Sequence, residues 1–380
     1  MKKQQLGLVV DQATNQENPV EICIAVSPEE KLAIYRLRYR IYAEEMSKNF
    51  PSMDHDKKLL SDELDDSAIL VYAKIGSKFI GTVRVNIGRI EDFPLFWEQV
   101  LSLHKFLEFG EQQRFAYTSK FMVLQEYRNS AVAYLLAAKA YELYCQHEIQ
   151  FSFGVCNFHL LRLYEQFGFR RFGRNFVDPG YGILATYVLV VDDISHLRAV
   201  RSPFYRIARK RECLNTQPAE WFSKKFSENT DIINSQLISE DGLWNYLCTR
   251  YECRPNQLIS ILHRLSEAEA KKFLHCCGVV VRCHPGDQIA FCEDICYELN
   301  VLIAGQLKSF KSRSTTVMPG QSFGAPGLVY PRKHTEDIFA VTDAEILVLA
   351  NSAFERFRHS HPDIAEKITQ ALSRKKRITA

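Results

Sequence analysis

The sequence lacks a strong net charge, a membrane-length apolar segment and a regular pattern of cysteines. Its 48 lysines and arginines stand against 45 acidic residues, a formal charge of +3, so no whole-protein field draws it to nucleic acid or to an anionic membrane. Any basic site is local. With 46% hydrophobic and 24% charged residues, the chain is too polar for a multispan membrane protein and too apolar for disorder. Its 380 residues suffice for two or three domains with their own cores. The opening MKKQQLGLVVDQATNQ has two lysines, but its apolar run ends short of the roughly 7 to 15 residues of a secretory signal, and a cytoplasmic location is expected. Eleven cysteines at irregular spacings predict free thiols rather than a disulfide framework. Cys276, Cys277, Cys283, Cys292 and Cys296 lie near His275 and His284, yet no CxxC or HxxxH pair occurs. Structural zinc sites use such short paired spacings, so buried thiols and no metal are expected.

What is present first is an alternation of strands and helices. Val20 to Val26 reads as an opening strand. Ser27-Pro28-Glu29-Glu30 is a capping box with proline at the first helical position, starting a helix from Pro28 to about Ser47. Ala68 to Ile75 and Phe79 to Arg89 flank Gly76-Ser77-Lys78 as a hairpin. A helix over 94–107, a strand over 115–124, a helix over 129–147, a strand over 150–155, a helix over 158–167 and a strand over 183–191 follow. Together they predict a mixed α/β layer fold over 1–200. A basic stretch, Arg198 to Arg211, opens a helical linker over 201–257. From 258 to 380 a capped helix at Ser266 precedes short strands punctuated by Gly286, Gly305, Gly320, Gly324 and Gly327, the texture of a small β-roll. The basic end of the last helix, Arg374 to Arg377, suits the helix dipole.

Several polar residues stand out in the first domain. Alternation along Ile80 to Ile87 places Thr82, Arg84 and Asn86 on one face, and a guanidinium there suits a carboxylate-bearing substrate through paired hydrogen bonds. Asp62, Asp65 or Asp66 could hold a substrate ammonium and accept its proton; a solvated acidic loop is the alternative. The helix beginning near Asn129 offers backbone N–H groups to a phosphate. Asn157 and Tyr164 are seven residues apart, nearly one helix face. The Tyr164 phenol could protonate a departing thiolate.

Arg128, Ala131 and Ala133 match the cofactor loop of the GNAT acyltransferases, and Asn157, Tyr164, Gly168 and Phe169 resemble that superfamily's late helix. Arg38-Tyr39-Arg40-Ile41-Tyr42-Ala43-Glu44-Glu45 resembles the Arg-Tyr-x-Val-Tyr-x-Glu-Glu stretch of the N-acyl amino acid synthases, relatives of the acyl-homoserine-lactone synthases. Asp62 to Asp66, Gly81-Thr82-Val83-Arg84 and Thr118 to Val123 follow in the order of that family. Where the lactone synthases carry Glu-x-Ser-Arg, this chain has Tyr117-x-Ser119-Lys120. The resemblance implies amine attack on an acyl thioester, from acyl-coenzyme A or an acyl carrier protein. It assigns catalytic roles to Arg84, Asp66, Tyr164 and Ser119, and acceptor binding to Arg38, Asp62, Asp65 and Lys120. Donor binding falls to Val123, Leu124, Arg128, Asn129, Ser130, Ala131 and Asn157, with peptide N–H groups of Met122 to Leu124 polarising the carbonyl. Arg170, Arg171 and Arg174 with the 198–211 cluster offer an acidic carrier a local basic patch. Phe151, Phe153, Phe158, Phe167, Phe169, Phe172 and Phe176 are core or the lining of an acyl channel.

The C-terminal segment resembles a cyclic-nucleotide-binding domain through Cys283-His284-Pro285-Gly286-Asp287, Leu299 to Gly305 and Phe323-Gly324. That family's phosphate cassette has a ribose-binding glutamate and a phosphate-binding arginine. Here Ala325 and His334 stand at those positions, beside Gly324 and Thr335, so a degenerate roll without cyclic nucleotide is expected. A homodimer through this domain is a further expectation. The whole reads as an N-acyltransferase with a regulatory or structural domain; a cyclic-nucleotide-regulated protein lysine acetyltransferase and a non-catalytic scaffold are the alternatives.

Overall fold

The computed structural model describes residues 19–212, 214–227, 232–310 and 314–378. The signal-peptide reading of residues 1–16 and the dipole reading of the side chains of 374–377 fall outside the described residues. Among them, no helix is long and apolar enough to cross a membrane.

The first domain is built on an eight-stranded mixed sheet. Its strands are β1 (Glu21–Ile24), β2 (Ile69–Ile75), β3 (Lys78–Gly88), β4 (Phe115–Val123), β5 (Phe151–Cys156), β6 (Arg170–Arg171), β7 (Phe176–Asp178) and β8 (Gly182–Val190). The order is β1-β2-β3-β4-β5-β8-β6, with β7 also on β8. Every neighbour is antiparallel except β4 and β5. That parallel pair is joined only at Phe115–Phe151, Ala116–Ser152 and Tyr117–Phe153. Beyond it, 118–123 and 154–156 keep their outer partners but do not pair with each other, which leaves a wedge in the sheet.

Helix α1 (Pro28–Tyr39) starts on the expected box: Ser27 Oγ accepts the Glu30 N–H (3.2 Å), and the Glu30 carboxylate accepts the Ser27 N–H (3.0 Å). It then widens into a π-helical turn over Arg40–Glu45 instead of running on to Ser47. The helix expected over 94–107 breaks at Ser102, whose φ is +49°, into Leu95–Val100 and a 3-10 turn at Leu103–Phe106. Helix α2 (Val132–Gln146) begins three residues later than expected because Asn129 is left-handed. Helix α3 (Leu161–Phe167) is entered through a 3-10 turn over Phe158–Leu160.

The segment 201–257 divides its packing. Phe222 and Phe226 join Phe106, Phe115, Phe151, Phe153 and Phe172 in an aromatic cluster on one face of the sheet. Leu243, Trp244 and Leu247 join the core of the C-terminal roll. That roll has two four-stranded sheets, Gly278–Cys283, Ala344–Ala350, Glu298–Ala304 and Ser322–Phe323 in one, Gln288–Ala290, Asp337–Ala340, Leu307–Phe310 and Ser314–Val317 in the other. The two halves are stitched by side chains from α3, β6 and the turn between β6 and β7. Arg171 donates to Val280 O (2.7 Å) and pairs with the buried Glu165 (2.8 Å). Arg162 donates to Gly278 O (3.3 Å) and Asn175 to Arg282 O (2.7 Å).

Candidate active site

The polar face of β3 meets α1 and the acidic turn in a buried charge cluster. Arg38, fully buried, places Nη1 2.8 and 2.9 Å from the two Asp65 oxygens. The Tyr35 ring faces its guanidinium at 5.4 Å, while its Nε and Nη2 are buried donors with no hydrogen-bond acceptor. Arg84, 2% exposed, donates from Nε to Ser119 Oγ (2.9 Å) and from Nη1 to Asp62, with Asp65 at 3.2 Å. Lys120 Nζ lies 3.3 Å from Asp62 and donates to the Tyr181 hydroxyl (2.9 Å). Three cations thus face two carboxylates, an arrangement with room for one further negative charge.

Local backbone explains who joins. Asp62 caps a 3-10 turn over Glu63–Asp65. Residues three apart eclipse in such a turn, so Asp62 and Asp65 face the cluster together. Asp66, which sequence reasoning gave a catalytic role, is exposed on the outside of that turn and takes no part in the cluster. Neighbours on a regular strand point to opposite faces. Ser119 and Lys120 nevertheless serve one cluster, because the β3–β4 register shifts between Thr82 and Arg84 and Lys120 adopts φ +50°. This is a bulge re-aiming a side chain.

The cluster's electrostatics follow from burial. Burial opposes charging Asp62, but Arg84 and Lys120 hold its carboxyl below the ordinary range. Burial, aided by Arg84 and Arg38 and opposed by Asp62, pulls the Lys120 ammonium down to about 8. Three rings surround it, Tyr42, Phe50 and Tyr181, at 5.5 to 5.7 Å. Sequence reasoning missed Tyr181, Phe50 and the role of Tyr42. Tyr181 is set by Asp178, whose carboxylate accepts the Gly180 and Tyr181 N–H groups (2.8 and 3.0 Å). A Cβ on Gly180 would meet the Phe50 ring at 2.3 Å, so only glycine lets that ring reach Tyr181.

Beside the wedge, Val83, Thr118, Phe121, Tyr164, Phe167 and Phe169 line an apolar cavity of about 20 Å³, a space closed to a thioester arm until side chains shift. Tyr164 stacks on Tyr187 with centroids 4.4 Å apart, and burial drives its phenol far above the ordinary range. Asn157 does not share this space. Its Nδ2 donates to Tyr181 O (2.7 Å) and Ile183 O (3.2 Å), and it faces a second cavity between the domains. The 3-10 entry to α3 breaks the periodicity that put the two residues on one face.

At the expected donor loop, Arg128 donates from Nε to Val123 O (3.0 Å) and from Nη2 to Glu45 (2.6 Å). Asn129, Ser130 and Ala131 are exposed, and Ser130 Oγ accepts the Val132 N–H (3.3 Å) at the start of α2. Leu124 N–H is spent on Ile80 O (2.9 Å), so it is not free to polarise a carbonyl. The basic patch also changes: Arg170 is paired with Asp193 and Arg171 lies in the domain seam. Arg174, Arg198, Arg201, Arg206, Arg209 and Lys210 remain exposed. Of the phenylalanines read as a channel, Phe151, Phe153 and Phe172 are packed core; Phe167 and Phe169 line the apolar cavity, Phe158 faces the inter-domain cavity, and Phe176 lies against Trp97.

In the roll, Gly324 is left-handed at φ +68° and Ala325 N–H donates to His334 Nδ1 (3.1 Å). His334 is 5% exposed, and burial lowers its imidazole below the ordinary value against the pull of Glu298, Asp294 and Glu336. Thr335 is exposed. Cys296, Glu298 and His334 bring ligand-type atoms within 4.8 Å of one another. The Cys296 thiol, however, donates to Glu298 O and Ala325 O (both 3.2 Å), and burial raises its pKa.

The mixed sheet and the adjoining charge cluster place a polar site beside an apolar cavity in the first domain. Over residues 33–190 the sequence matches the family of the N-acyl amino acid synthase FeeM. The structure of FeeM from uncultured soil microbes is similar at 15% identity and a TM-score of 0.40, over 50% of this chain and 98% of that one. The acyl-homoserine-lactone synthase LasI is similar at 14% identity and a TM-score of 0.36, over 46% and 91%. For the roll, the N-terminal domain of a transcriptional regulator from Streptomyces coelicolor A3(2) is similar at 21% identity and a TM-score of 0.29, over 32% and 88%. No curated protein sequence matches the chain.

Proposed function

We propose that this chain transfers a long acyl group from a thioester to the amine of an amino acid. The observation that carries it is the cluster of Arg38, Arg84 and Lys120 around Asp62 and Asp65, with one positive charge in excess. An acceptor carboxylate entering beside Lys120 supplies the missing charge. The amine nitrogen attacks the thioester carbon, a C–N bond forms and the C–S bond breaks. The proton leaving nitrogen goes to Lys120 in its neutral form, which thereby becomes the ammonium that pairs with the acceptor carboxylate, and the departing thiolate leaves as the anion, accepting a hydrogen bond from the Tyr164 phenol. Arg84 and Ser119 act by holding Asp62, and through it Lys120, in place.

The donor is an acyl carrier protein or coenzyme A. Its phosphate approaches the start of α2 at Asn129, Ser130 and Ala131, where backbone donors and the helix dipole favour an anion. The exposed cations of 198–210 favour the acidic carrier. Mass spectrometry of lipid extracts from cells overproducing the chain tests the reading: new N-acyl amino acids support it, and unchanged extracts with acetylated protein lysines defeat it.

The roll is proposed to act without a cyclic nucleotide. Its cassette has a neutral imidazole, fastened to the Ala325 backbone, where a phosphate would need a fixed cation. A missing buried charge partner costs about 2 to 5 kcal/mol of binding. Calorimetric titration with cyclic AMP to millimolar concentration will show no saturable heat; micromolar binding would contradict this.

A further inference from the structure

A cavity of about 60 Å³ lies where the roll meets the acyltransferase domain. Phe158, Tyr181, Phe291 and Tyr297 line it together with Asp294 and Glu298. Aromatic faces beside a carboxylate form a setting that attracts an ammonium. Asp294 is already engaged by Lys48 (2.8 Å). Glu298 has no lysine or arginine partner among the described residues: its Oε2 accepts the Tyr297 N–H (3.1 Å) and lies 3.4 Å from His159 Nδ1, and its Oε1 receives Asn300 Nδ2 at 3.4 Å. Burial opposes its charge, but His159 and His334 help hold the carboxyl below the ordinary range. His334 is occupied at Nδ1 by the Ala325 N–H, so the neutral ring carries its proton on Nε2 and has no free basic nitrogen for a metal.

Tyr181 joins this cavity to the reaction site: the residue lines the cavity and its hydroxyl accepts from Lys120. We propose that the cavity binds the second, cationic amine of a diamino acceptor, so that the C-terminal roll forms part of the acceptor site. The inference rests on the acyl-transfer reading and narrows its acceptor class. One amine is acylated beside Lys120 while the other remains an ammonium beyond Tyr181, against Glu298.

The test measures thiol release by the purified full chain with one long-chain acyl-coenzyme A and either L-lysine or L-norleucine, which differ in the distal ammonium. The expected preference in kcat/KM for lysine is about tenfold or more, corresponding to about 1.4 kcal/mol. Glu298→Gln should bring the lysine-to-norleucine ratio close to one, and Asp294→Asn should lower it less; thermal melts confirm that both variants fold. Equal use of the two amines by the unaltered protein, or an unchanged ratio in Glu298→Gln, overturns the inference while leaving acyl transfer standing. One equivalent of zinc in the purified protein, lost in Glu298→Gln, also overturns it. No thiol release with any amine defeats the acyl-transfer reading itself.

Discussion

Arg84→Ala will abolish amide formation and lower stability by about 3 to 5 kcal/mol, the usual cost of removing one partner from a buried ionic network. The guanidinium is 2% exposed and stands between Asp62, Asp65 and Ser119. Without it, two carboxylates are left with one end of Arg38 and a lysine whose charge burial already weakens. Arg84→Lys separates the two losses. It keeps the charge and should recover much of the stability, but it lacks the fork that spans Ser119 and Asp62 at once. Its activity should stay down about a hundredfold. Chemical denaturation read alongside thiol release measures both quantities, and an alanine variant with an unchanged unfolding midpoint would contradict the cluster as described.

Lys120→Met should cost about a hundredfold or more in kcat/KM, the scale of a lost general base, and remove a pH dependence. With its ammonium pulled down to about 8 by burial, Lys120 is mostly protonated at pH 7. The rate of the unaltered protein should therefore rise with pH and level off above about 8. Stability carries the same signature. The folded pKa lies below the unfolded value of about 10.4, so between these values the unfolded chain holds a proton that the folded one lacks. The penalty of burying the ammonium is full below about pH 8 and fades as pH rises towards 10.4. Relative to Lys120→Met, the unaltered protein should thus gain roughly 3 kcal/mol across that window. A flat difference, or a rate profile that survives the substitution, would remove Lys120 from proton transfer.

Much of the first domain was legible because its signals are local. The Ser27–Glu30 box, the turn before Lys78 and the alternation around Arg84 each specify their own conformation. What was illegible depends on tertiary contacts or special backbone. Nothing in Thr118 to Val123 announces that Lys120 is left-handed, and that single dihedral allows it and Ser119 to serve one cluster. Within Asp62 to Asp66, the choice of Asp65 over Asp66 came from a 3-10 turn too short to leave a periodicity. Arg171 read as a surface cation because the strand that buries it, Gly278–Cys283, lies more than a hundred residues away. Tyr181 follows a turn whose purpose emerges only when Phe50 packs across Gly180. The synthase resemblance, in contrast, lay in residue types and their order, which are explicit in the sequence.

The most direct measurement of the central claim is a stoichiometric one. Purified protein is incubated with a long-chain acyl thioester, on coenzyme A or on a carrier protein, and a set of amino acids. Free thiol and N-acyl product are then quantified together. The account predicts one amide formed per thiol released, both slowed about a hundredfold in Arg84→Lys. Thiol release without an amide, or amide formation undiminished when Arg84 is replaced, would contradict it.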